Sequence, residues 1–307
     1  MARKNKNHIR MSLGDRIFGI VNFVIVTLLM IAMVYPFYYC VILAFNDGVD
    51  ATQPGIYFWP RVFTLENFEV ALSDENILPA AINSLGRTVF GTVLTILVTS
   101  AFAYGMSKSN LRFRNFYLIF LMIPMYFGGG MVPTYILLRD MKLLNNFWVY
   151  ILPGLFSTYY SLIFMASFRE FAPSLEESAM LDGAGYFRIF FQLILPLSKP
   201  VLAAVCVFLA VGHWNSWMDT LLYMPNTHSW DTLAYLFAMT AQRADYLIKL
   251  AQESAGAAAE MGTQLSGATG LSTQLASMLI SIAPILLVYP FFQKHFVHGV
   301  MIGAVKG

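Results

Sequence analysis

Few side chains in this 307-residue chain can do chemistry, and several of them share one stretch, Pro173 to Pro200. Glu176, Glu177 and Asp182 stand there between two long apolar runs, punctuated by Pro173, Gly183, Pro196 and Pro200. Ser174, three residues before Glu177, has the spacing of a capping box, which predicts a helix start. The two glutamates suit the positive end of that helix. Asp182-Gly183 should end it after about two turns. A second short helix is predicted from Gly185 to about Leu193, with Pro196 and Pro200 leading into the next apolar run. Two short helices meeting at a glycine make a compact hook. The other reading of the same residues is an amphipathic linker on a membrane surface. Glu177 can cap its own helix or pair with a base on a partner, and both can hold.

Elsewhere the reactive groups are sparse. There is no HExxH and no Cys/His cluster, so no metal site is predicted. Cys40 and Cys206 both fall inside apolar runs and read as inert buried thiols. No Gly-Lys pair occurs, which excludes a Walker A phosphate loop and any ATP site of that type in this chain. The apolar runs hold no acidic residue, and His213 is their one candidate proton carrier. That argues against a membrane-embedded enzyme and against an ion-coupled transporter, which needs buried carboxylates.

The elements that position these residues are membrane spans. The chain is 58% hydrophobic and 12% charged, against roughly 25% charged in soluble domains. Six runs reach the ~20 residues a span needs or approach it: about 17–45, 80–106, 116–138, 147–168, 201–217 and 272–292. Pro36 should kink the first. Gly128-Gly129-Gly130, between Pro124 and Pro133, should break the third. Residues 1–16 are a basic N-terminal segment, and 17–307 read as one transmembrane domain. It has a hook over 173–200 and a long polar segment over 218–271, of which about 232–253 can be helical. Of the nineteen Lys and Arg, thirteen fall at the N-terminus, the second loop, the hook and the tail, and five on the other side. The predicted orientation therefore has both termini and the hook in the cytoplasm. The chain is an all-α polytopic membrane protein on this reading.

Glu177-Ser178-Ala179, Asp182-Gly183-Ala184 and Ile194-Leu195-Pro196 resemble the EAA loop of binding-protein-dependent ABC importers. Ser178 replaces the usual alanine, and the spacer before Leu-Pro is missing. Gly129 to Tyr135, Leu152-Pro153 and the C-terminal Gly299 to Gly307 resemble the branch importing oligosaccharides and polysaccharide fragments, relatives of the smaller maltose permease subunit. The resemblance implies a type I ABC importer permease fold with a cytoplasmic coupling helix, in a bacterial cytoplasmic membrane. It implies a second homologous permease subunit, two cytoplasmic ATPase subunits that bind ATP and Mg, and an extracellular solute-binding protein. The substrate would be an oligosaccharide; no nucleic acid partner and no cofactor in this chain are expected.

On that resemblance Glu176, Glu177, Ala179, Asp182, Gly183 and Ala184 form the ATPase-coupling set. Sugar contact calls for aromatic faces beside hydrogen-bonding groups. Tyr126 and Phe127 at the glycine break, and His213, Trp214, Asn215 and Trp217 near the end of the fifth span, are the candidates. Packing or an interfacial belt is the alternative for each aromatic. Arg87, the one charge inside a span, either snorkels to the outer surface or meets an acidic sugar. Residues 255–270 are expected to touch the binding protein, with a disordered outer loop as the alternative.

Overall fold

The computed structural model describes residues 13–51, 53–240, 242 and 270–304; the expectations for residues 1–12, for the helix over 243–253, for 255–269 and for 305–307 lie outside these. The chain packs as two units, residues 1–71 with 251–279, and residues 72–250 with 280–307.

In the first unit one helix runs from Leu13 to Ala44, unbroken through Pro36. Its most apolar 18-residue stretch buries nothing inside the chain, as befits a helix facing lipid or another subunit. Its end is capped by a polar knot. Asn67 is fully buried and donates to Ala44 O and Asn46 O at 2.9 and 2.7 Å. Asn46, also fully buried, donates to Asp50 at 2.8 Å and accepts from Val62 N at 2.9 Å. Two amides thus satisfy backbone groups left over where the helix stops.

The second unit is organised by the helix Ile77–Ser107. Its buried residues include Ala80, Ser84, Arg87, Gly91, Thr95, Thr99 and Ala103, one face at helical spacing. Small and hydroxyl side chains let neighbouring helices approach closely in a membrane. Thr158–Phe168 and Lys199–Asn215 pack on this helix. Gly91 lies against the His213 ring, where a Cβ would come within 2.6 Å of Nε2.

Three spans are bent pairs. Arg114–Tyr126 and Met131–Asp140 meet at 109°, broken where the glycine run predicts, with Gly130 at φ +85°. The fourth span differs from the continuous helix expected over 147–168. Phe147–Gly154 is made of 3-10 turns and meets Thr158–Phe168 at 50°. Pro153 and Gly154 interrupt the backbone ladder, and the second span repairs it. Thr95 donates to Gly154 O at 3.0 Å, and Thr99 Oγ1 accepts from Ser157 N at 3.3 Å. Irregular backbone survives in a membrane where protein groups satisfy it. The third pair, Tyr186–Leu197 and Lys199–Asn215, meets at 82°. With each pair taken as one span, the described residues hold six helices long and apolar enough to cross a membrane.

The last helix, Gly270–Ala304, continues past the expected 272–292. The segment after the fifth span folds as a short helix, Met218–Tyr223, and is helical again over 233–240. That covers part of the helix anticipated over 232–253.

Candidate functional site

The hook is built from local rules. Its first helix is Pro173–Leu181, with Pro173 in the first turn, where its missing N–H is harmless. The N-cap is Ala172, and no side chain caps it. The capping box does not form: Ser178 donates to Ser174 O at 2.8 Å. The helix ends in a Schellman closure. Ala184 N reaches Ala179 O at 2.9 Å and Gly183 N reaches Met180 O at 3.0 Å. Gly183 sits at φ +80°, a conformation an L side chain adopts only with strain. The second helix begins at Tyr186, one residue after the expected start. It passes through a π turn at Phe190–Ile194 and ends at Leu197 rather than Leu193.

The root of the hook is fixed in a core. Ile189, Phe190 and Ile194 are buried with Ala103, Tyr104 and Met106 of the second span, Phe164, Met165 and Phe168 of the fourth, and Val205 of the fifth. Ala179 and Ala184 pack on the same cluster. The tip is open, with Leu181 89% and Phe187 83% exposed. Of the six residues assigned to coupling, Glu177, Asp182 and Gly183 are exposed, and Ala179 and Ala184 turn inward. Glu176 is taken within the chain, in an ion pair with Lys108 at the end of the second span. Lys108 Nζ also lies 3.8 Å from the Tyr104 ring centroid. Sequence reading missed Lys108, whose loop position gave no sign of a partner.

At the other end of this unit, Arg87 is 2% exposed and neither snorkels nor presents a free guanidinium. It pairs with Asp219, donates to Ser216 O at 3.0 Å and lies 4.5 Å from the Tyr150 ring centroid. Both sequence readings of Arg87 give way to this internal pair, because Asp219 stands just beyond the fifth apolar run. The network continues outward. Tyr150 donates to Trp230 O at 2.7 Å and meets Thr220 at 3.0 Å. Asn83 donates to Ser229 O and Asp231 O at 2.9 and 3.0 Å. Burial raises the Asp231 carboxyl above the usual range, and His228 at 3.0 Å pulls it partly back. Residues 216–233 are thereby stitched to the second and fourth spans.

The aromatic candidates separate. Trp214 is buried with Ala80 and Leu233, and its indole N–H donates to Ser281 O at 2.9 Å, so it is held inside the chain. His213 is half-buried against Gly91. Tyr126 and Phe127 are 70% and 79% exposed, and Asn215 is exposed and Trp217 half-exposed. These last four remain accessible. A cavity of about 340 Å³ lies between the second, fifth and last helices. It is lined almost wholly by apolar groups such as Leu85, Val89, Val207 and Trp214, a poor surface for sugar hydroxyls.

Apolar helices, three of the spans bent, with a hook whose root is buried and whose tip is bare, are the build of a membrane permease. Relatives say which kind. The chain is 32% identical over 294 residues to protein LplC of Bacillus subtilis, covering 96% of each chain. It is 30% identical to the polygalacturonan/rhamnogalacturonan transport system permease protein YtcP of the same organism, over 95% of this chain and 99% of that one. A solved chain of a bacterial ABC transporter involved in the import of the acidic polysaccharide alginate superposes with a TM-score of 0.80 at 27% identity. That match covers 93% of this chain and 99% of the other. No family profile matches. The chain belongs to the permease subunits of ABC sugar importers, integral proteins of the plasma membrane.

Proposed function

We propose that this chain is one of two permease subunits lining the pathway of an ATP-driven importer for an oligosaccharide or polysaccharide fragment. An extracellular binding protein delivers the sugar, and separate cytoplasmic ATPase subunits, holding ATP and Mg, supply the work. The observation that carries this is the hook: a tip of exposed apolar residues on a root buried among three spans. Such a protrusion gives an ATPase a surface to grip and passes its displacement into the bundle. The orientation with the hook and both termini in the cytoplasm rests on the Lys and Arg distribution. The polysaccharide class rests on the relative named for polygalacturonan/rhamnogalacturonan transport and on the solved transporter that imports the acidic polysaccharide alginate.

Sugar contact falls to Tyr126, Phe127, Asn215 and Trp217, which remain accessible, with half-buried His213 as a further candidate. Arg87 acts through structure, its charge already matched by Asp219. The test is purification from native membrane in mild detergent, followed by ATPase assay with binding proteins loaded with candidate oligosaccharides. Copurification of an ATPase and a second permease subunit, with hydrolysis raised by one loaded binding protein, is the expected result. Recovery of the chain alone, with no response, refutes the assembly.

A further inference from the structure

We propose that Tyr57, Phe58 and Trp59 form an interfacial anchor, seated in the polar–apolar boundary of the lipid bilayer, that fixes the depth of the first span. After Leu13–Ala44 the chain does not simply leave the helix end; part of it returns along the helix. Ile56 is buried against Ile42, Leu43 and Ala51. The next residues reach lower on the same helix. Tyr35 donates to Tyr57 O at 3.3 Å, and Tyr38 donates to Phe58 O at 2.7 Å. The Phe58 ring also lies beside that of Tyr35, with 6.4 Å between centroids. The chain then turns back. Arg61 pairs with Asp50 at 3.2 Å, and Asp47 N bonds Val62 O at 2.8 Å.

Two markers give the depth of this flap. Arg16 is the last charge before the uncharged run, and a hydrocarbon core of ~30 Å at ~1.5 Å per residue takes about 20 residues from there. That reaches residues 36–38, the level of the two tyrosines that hold the flap. The second marker is the sequence Tyr35-Pro36-Phe37-Tyr38-Tyr39, since Tyr and Trp gather at membrane–water boundaries. At this level the flap turns its side chains outward: Tyr57, Phe58 and Trp59 are 56%, 74% and 75% exposed. No charge stands among them, and Arg61 and Asp50 neutralise each other above. Three consecutive exposed aromatics at this depth fit a lipid boundary better than water. Because two hydroxyls tie the flap to the helix, anchoring the flap holds the helix against sliding along its axis.

The assembled transporter, with Cys40→Ala and Cys206→Ala, carries a nitroxide at Trp59→Cys or, separately, Phe58→Cys, in phosphatidylcholine–phosphatidylglycerol vesicles. Collision rates with oxygen and with a water-soluble nickel chelate are read by electron paramagnetic resonance. Labels at Phe23→Cys and Asp74→Cys serve as lipid and water references. The expected result is strong oxygen and weak nickel collision, at a depth within ~10 Å of the phosphates. A nickel-dominated signal like that at Asp74 overturns the proposal in favour of a water-exposed loop. Weak collision with both overturns it in favour of a protein contact. As a check without labels, brominated lipid should quench the native protein more than its Trp59→Phe variant; equal quenching overturns the proposal as well.

Discussion

At the scale of single residues, two ion pairs of the second unit, Arg87–Asp219 and Lys108–Glu176, invite different tests. In Arg87–Asp219 the side chains are unequally sheltered, 3% against 36% exposed. Removing Asp219 strands a buried guanidinium, whereas removing Arg87 leaves a carboxylate that water can reach. Asp219→Asn should therefore cost the larger amount, about 3–5 kcal/mol, and Arg87→Met clearly less. Thermal unfolding in detergent should show this order, and the reverse order would mean that the pair is open to solvent. Arg87→Lys should recover little, because one ammonium cannot serve Ser216 O, Asp219 and the Tyr150 ring as the planar fork does. Lys108–Glu176 is equally sheltered on both sides, 19% and 19%. It joins the hook to the second span, so Glu176→Gln should loosen force transfer more than folding. ATP hydrolysis should persist while sugar uptake falls several-fold, and Lys108→Glu with Glu176→Lys should restore part of the uptake. Uptake unchanged in Glu176→Gln would remove the pair from the transmission route.

At the scale of elements, the hook was legible in outline and wrong in detail. Pro173 and Gly183 act through backbone geometry that any sequence context enforces, so start and stop could be read directly. The capping box could not, because Ser174 lies inside the helix that Pro173 already begins, and its backbone carbonyl takes the Ser178 hydroxyl. The break in the third span was visible as a glycine run. That in the fourth was not, because its repair comes from Thr95 and Thr99 on another helix. Gly183 has open space around it, so a side chain there meets backbone strain and no clash. Gly183→Val should cost about 1–2 kcal/mol and weaken ATPase capture in a pull-down, while Gly183→Asn, more at ease at positive φ, should keep most of it. Gly91 is the opposite case, since a Cβ there strikes the His213 ring. Gly91→Ala should lower the melting temperature, and adding His213→Ala should restore part of the loss. No recovery would mean that something other than the ring fixes the distance between the second and fifth spans.

At the scale of the whole molecule, composition and charge spacing were enough for a polytopic helical protein, and the EAA-like loop was enough for its family. What they could not carry were pairings across long separations: Arg87 finds Asp219 132 residues away, and nothing local to either announces the other. Transport should likewise belong to the assembly. The chain alone should neither hydrolyse ATP nor move sugar, and both activities should appear when the partner subunits are added to the same vesicles. Uptake by the chain alone, driven by an ion gradient, would overturn that division of labour. The π turn at Phe190–Ile194 has a consequence for insertions and deletions. A turn of this kind holds about one residue more than an α turn, so the chain carries a surplus there, like slack in a stitched seam. Deleting one of the five would take up that slack and let the helix close as α turns, with Leu195 to Lys199 kept on nearly the same bearing. The same deletion inside the regular helix Lys199–Asn215 would swing everything beyond it by roughly 100°, one residue's share of a 3.6-residue turn. At the π turn a change in residue number can be absorbed, as can replacement of exposed Gln192.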